Sequence, residues 1–201
     1  MTGAWIAAAT AIVVALASAF LAYNNTRRLS RVNEQITFVN RQLSEFYGPL
    51  LALQRSNTVS WKEFRKMHGA DRRSLFSDSI PPDERDVYAW RYWLKHVFMP
   101  TNRRMYDIIL TKSDLIEGAE LPQIFASFCA HVTGYEVTLA QWADNDYSRL
   151  VSVNNHPGPA LEAHIEAKYR ELKLRQQTLL GKAPLADRRK SLFAILKSPT
   201  S

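Results

Sequence analysis

Residues Trp5 to Tyr23 read WIAAATAIVVALASAFLAY, a run with no charged side chain in which only Thr10 and Ser18 carry small polar groups. At 1.5 Å per residue, a helix over this run reaches about 28 Å, close to the roughly 30 Å hydrocarbon core of a bilayer. Trp5 and Tyr23 mark its two ends, where aromatic belts meet the headgroups. The run therefore predicts a single membrane span. A cleaved signal peptide is the competing reading, since Ala17-Ser18-Ala19 offers a small-x-small cleavage pattern. Met1 to Ala4 lack the Lys or Arg of a signal-peptide n-region, however, and the positive charges Arg27, Arg28 and Arg31 follow the run instead. By the positive-inside rule this order predicts an uncleaved signal-anchor, with its N-terminus outside and everything after it cytoplasmic.

Downstream of the span, Leu29, Val32, Ile36, Val39, Leu43, Phe46 and Leu50 are spaced alternately by three and four. That is a heptad stripe, and it predicts a helix that continues out of the membrane with one seam facing another helix. The seam fits a partner helix, either a second copy of the chain or another subunit, and equally a helix of the chain's own domain. Pro49 cannot donate to the carbonyl of Glu45, so a kink is expected at Gly48-Pro49. Ser60-Trp61-Lys62-Glu63 has the form of a capping box and predicts a fresh helix start there.

Further on, Pro82 is expected to open a helix favoured by Asp83, Glu84 and Asp86 in its first turn, and Pro100 to end or kink it. Thr101 is expected to cap the helix that follows, to about Lys112, with Ser113 to Pro122 as a short connector. Pro122 then starts a long helix to about Asp144, and Pro159 another that Gly181 closes. No alternating strand or Asn-Gly or Asp-Gly hairpin signal interrupts this pattern. The expected fold is all-α: an N-terminal transmembrane helix continuing into a bundle of four or five helices. Four segments follow: the span at 1–26, a heptad helix with a Gly-Pro kink at 27–57, a helical domain at 58–181, and a basic amphipathic tail at 182–201.

The formal net charge of +7 is unevenly spread. Residues 27–73 carry ten Lys/Arg against four Asp/Glu, residues 74–181 eleven against fourteen, and residues 182–201 five against one. Basic excess beside the span and in the tail (Arg188, Arg189 and Lys190) suits anionic lipid, which attracts each such cation by roughly 1 kcal/mol. A nucleic-acid surface would place that charge on the folded domain, interleaved with aromatics, so no nucleic-acid partner is expected.

Motifs that carry chemistry are absent. The seven glycines are scattered and form no phosphate loop, and the sequence holds no ExxH, CxxC or GxSxG. The single cysteine, Cys129, excludes an intrachain disulfide and sits in the apolar run IFASFCAHV, as a buried hydrophobe would. No cofactor is expected. His131 and His164 are the weak metal or proton-site candidates, on two long helices that could bring them together. His131 shares a helix face with Tyr135, and Glu136, Trp142, Asp144 and Asp146 lie further along. Trp90-Arg91-Tyr92-Trp93 packs more aromatic surface than one helix face buries, which makes Trp90 and Trp93 interface candidates beside the heptad stripe. The sequence thus points to a membrane-anchored interaction module, an accessory or scaffold subunit of a membrane complex. A tethered signalling protein and an enzyme acting at the membrane surface are the alternatives.

Overall fold

The computed structural model describes residues 2–68, 83–148 and 156–181, with side chains from residue 11 on. Every regular element among them is helical: α1 (Thr2–Arg41), a π-helical turn (Gln42–Tyr47), α2 (Gly48–His68), α3 (Glu84–Trp93), a second π-helical turn (Leu94–Phe98), α4 (Met99–Thr111), a 3-10 turn (Ser113–Leu115), α5 (Gln123–Ala143) and α6 (Gly158–Leu179). The π turns join their neighbours without a break, so these elements form four continuous helical rods. The all-α expectation holds. The basic tail with Arg188, Arg189 and Lys190, the loop before Asp83 and the side chain of Trp5 lie outside the described residues.

Two compact units divide the chain, one taking α1 up to Asn40 together with the chain from Leu174 on, the other Arg41–Lys173. In the first, α1 is exposed along Ala11–Arg31, and Ile12, Val13, Val14, Leu16, Phe20 and Leu21 all stand open to the surroundings. Burial begins only at its end, with Val39, next to the bond that Gln176 Nε2 donates to Asn40 Oδ1 at 2.6 Å. Among the described residues, no helix is long and apolar enough to cross a membrane. The apolar run with described side chains is residues 11–23, about 20 Å of helix. Its first six residues, Trp5–Thr10, fall outside that span of described side chains.

In the second unit the core runs through aromatic contacts. Phe46 meets Phe125 of α5 edge-on at 5.6 Å, and Phe64 of α2 meets Trp90 of α3 at 5.8 Å. The two prolines, expected to kink or end their helices, each follow a π turn, and the helix continues past them. A proline at position i leaves the carbonyl at i−4 without its donor and crowds it. A turn widened to i→i+5 bonding moves that carbonyl out of line. Here Gly48 N–H donates to Leu43 O just before Pro49, and Met99 N–H donates to Leu94 O just before Pro100. Gly48 is required at the first of these, because a Cβ there would run into the carbonyl oxygen of Leu43.

Local readings fared unevenly. Ser60 does not start a helix: it lies inside α2, where the turn before it is already formed and its neighbours' amides are taken by the helix ladder. Thr101 does not cap α4 either, since its hydroxyl donates back to Val97 O at 3.1 Å within a continuing helix. Asp83, expected within the first turn of α3, is instead its N-cap, its carboxylate accepting from Asp86 N–H at 2.7 Å. Pro122 precedes α5, and Gly181 follows α6 with φ 71°, both as the sequence indicated.

Candidate functional site

The second unit forms a partly open cavity of about 390 Å³ between α2, the α3–α4 rod, α5 and the start of α6. Aromatic side chains form much of its wall: Trp61 from α2, Trp90 and Phe98 from the α3–α4 rod and Tyr135 from α5. They are placed by helical spacing, with Trp61 against Trp90 and Phe98 at 5.9 Å each. Leu94 and Pro159 add apolar surface.

Set into that wall are polar groups at unusual depth. Gln54 is 3 % exposed, Asn57 8 % and His131 4 %. Asn57 Nδ2 donates to Asn102 Oδ1 at 2.5 Å, which turns its own Oδ1 away. Among the described residues, Asn57 Oδ1, Gln54 Oε1 and His131 Nδ1 have no hydrogen-bond partner, and all three lie behind the surface of the wall. Leaving a buried polar group unmet costs about 1 to 3 kcal/mol. At the rim, the Thr58 hydroxyl donates to the Glu162 carboxylate at 2.8 Å, tying α2 to α6. Arg55 adds a 3.0 Å ion pair to Glu166 between the same helices.

The two lining histidines stay neutral. Desolvation, helped by the neighbouring His156, pushes His131 down to about 3 from its ordinary 6.5. His156 keeps exposed surface, yet its ring stands edge-on to Phe128 and His131, and desolvation lowers its pKa too. Its Nδ1 accepts from Gly158 N–H at 2.8 Å, so the neutral ring carries its proton on Nε2.

The pairing expected of His131 was with His164. The structure brings it to His156 instead, ring centroids 4.6 Å apart, while His164 packs edge-on to Phe125 at 5.2 Å. His156 lies inside the break NNHPGP at 154–159, where no helical periodicity relates it to a neighbour. Among the described residues, no group of three His, Cys, Asp or Glu could hold a metal ion. Tyr135 stays beside His131 at 4.8 Å, as their spacing implied. Glu136 points elsewhere, to a two-pronged pair with Arg103 of α4 that holds its carboxyl below the usual range. Burial pushes the Cys129 thiol up, away from nucleophilic character.

The interface candidates separate into two groups. Leu43 and Phe46 are buried inside the second unit and Val39 is buried in the first, so the chain itself covers the distal part of the heptad stripe. Leu29 is exposed, and Val32 and Ile36 are half-exposed. Trp90 and Trp93 turn inward onto Phe64, at 5.8 and 5.6 Å. The surplus aromatic surface of that segment is carried by Tyr88 and Tyr92, both exposed and stacked on each other. Arg27, beside the apolar run, stands over the Tyr23 ring at 5.3 Å.

Compared with protein-family models, with curated proteins and with solved structures, the chain finds no match in any of the three.

Proposed function

We propose that the chain is a single-pass membrane-anchored helical module, an accessory or scaffold subunit of a membrane complex, with its helical domain on the cytoplasmic side. One observation carries the reading: the apolar side chains of residues 11–23 are exposed on every side of α1. Ile12 at 60 %, Val13 at 65 % and Val14 at 59 % stand about 100° apart in turn around the helix. A helix apolar all round is stable only when something apolar surrounds it. Lipid does so for the whole circumference, and Trp5–Thr10 extend the run to bilayer length. Arg27, Arg28 and Arg31 follow at once, exposed, where the inner leaflet's anionic headgroups would lie. Past them, Leu29, Val32 and Ile36 form the uncovered part of the stripe and are assigned to a partner helix.

Two measurements test this. An alkaline phosphatase fused after Ser201, active only when exported, stays inactive, and a cytoplasm-competent fluorescent reporter at the same site is bright; an active phosphatase reverses the orientation. Val32→Glu combined with Ile36→Glu lowers the particle mass in mild detergent while the second unit melts unchanged. An unchanged mass removes the partner helix from the reading.

A further inference from the structure

We propose that the cavity of the second unit binds a small organic cation, a protonated amine carried on an aromatic or branched apolar body. The volume, about 390 Å³, falls within the range of small-molecule sites, and an apolar wall with a few placed polar groups is their usual composition. The charge of the lining determines the class of ligand. Among the described residues, the lining includes one carboxylate, Glu162, and no Lys or Arg. Its histidines are held neutral by burial and oppose no incoming cation. The aromatic lining of Trp61, Trp90 and Tyr135 is of the kind whose π surface attracts a desolvated ammonium. An anionic ligand would meet Glu162 with no cationic side chain in the described lining, and is excluded on charge. A neutral ligand fits the apolar wall but gains no charge attraction from Glu162, and that difference is measurable.

The site belongs wholly to residues 41–173 and does not depend on the membrane reading, so either can fail alone. The test uses the full chain in zwitterionic detergent and follows tryptophan fluorescence excited at 295 nm, where phenyl probes are transparent. The probes are 2-phenylethylamine, 2-phenylethanol and phenylacetate, with the 3,3-diphenylpropyl amine, alcohol and acid as a larger set. The expected result is that the amine of at least one set binds ten or more times more tightly than its alcohol, while the acid does not bind. Glu162→Gln, which keeps an acceptor for Thr58, reduces that preference to less than threefold. Thr58→Ala, which disturbs the same corner but keeps the carboxylate, retains it. Micelle partitioning is common to all three proteins and cancels in the comparison. The proposal is overturned if no probe binds the folded protein, if alcohol or acid binds as tightly as amine, or if the preference survives Glu162→Gln. Loss of the preference in Thr58→Ala as well would assign it to packing and equally overturn it.

Discussion

Residues 11–23 of α1 and residues 43–64, which run through the first π turn into α2, are both rich in large apolar side chains, yet one is open and the other closed. In the first, apolar groups occupy every direction around the helix, and those described are exposed. In the second they form a stripe, so Leu43, Phe46, Leu50 and Phe64 are buried while Arg55 and Lys62 stay outside. Hydrophobic content is not what separates them; its angular distribution is. A stripe can be matched by one or two neighbouring helices, whereas a uniformly apolar surface needs a surrounding solvent that is itself apolar.

The largest effect expected from this contrast comes from charging the open run. Val14→Arg with Leu16→Arg costs about 5 to 7 kcal/mol of insertion free energy, at about 2.5 to 3.5 per central charge. The variant is expected in the carbonate-soluble or aggregated fraction, with the second unit still melting cooperatively; retention in the washed membrane pellet would break the comparison. Next come two phenylalanine truncations. Phe46→Ala should lower the unfolding free energy by about 3 to 5 kcal/mol, since a fully buried ring leaves a cavity. Phe20→Ala, on an open surface, should change it by less than about 0.5 kcal/mol in urea titrations. Similar losses for both would mean that the run packs on protein.

Gly48→Ala sharpens the contrast within the closed region. Helix propensity alone predicts a gain of about 1 kcal/mol. The added Cβ would collide with the Leu43 carbonyl, whose oxygen also accepts the Gly48 N–H, so the π turn must shift. Overpacking of that kind costs about 1 to 3 kcal/mol, and the net change should be destabilising. A stabilised variant would show that the turn relaxes freely.

A further expected effect is on pH dependence. His131 titrates at 6.5 when unfolded and near 3 when folded, so between those values the unfolded chain binds the extra proton. Stability is therefore complete above pH 6.5 and falls as pH drops towards 3, by about 2 kcal/mol from His131 between pH 7 and pH 5. His156 and His164, both lowered, act in the same direction. Among the described residues, desolvation and His156 are what move His131, and no described carboxylate offsets them. Urea midpoints of His131→Leu at the two pH values should differ by less than those of the parent chain. An equal difference would place the imidazole in water.

Local chemistry in the sequence settled the helical class, the position of the apolar run, the boundaries of α5 and the glycine after α6. These depend on side-chain periodicity and on backbone groups a few residues apart, which a single stretch of chain carries within itself. It did not settle how prolines at 49 and 100 are accommodated. A proline usually breaks its turn, but packing of Phe46 and Tyr47 on one side, and Leu94 and Phe98 on the other, rewards a continuous rod with a widened turn. Each π turn adds a residue, advancing the following face by about 100°, so the buried set gains Gln42 and Tyr47, which lie off the heptad stripe. The Gln42 amide is then spent on Leu115 O, 73 positions away at 2.8 Å. The cavity has the same origin. Gln54, Asn57, His131, His156 and Glu162 have no shared spacing, and only helix packing brings them round one space. Tertiary structure alone chose His156 over His164 as the neighbour of His131, because which faces of two helices meet depends on their packing and not on either sequence pattern.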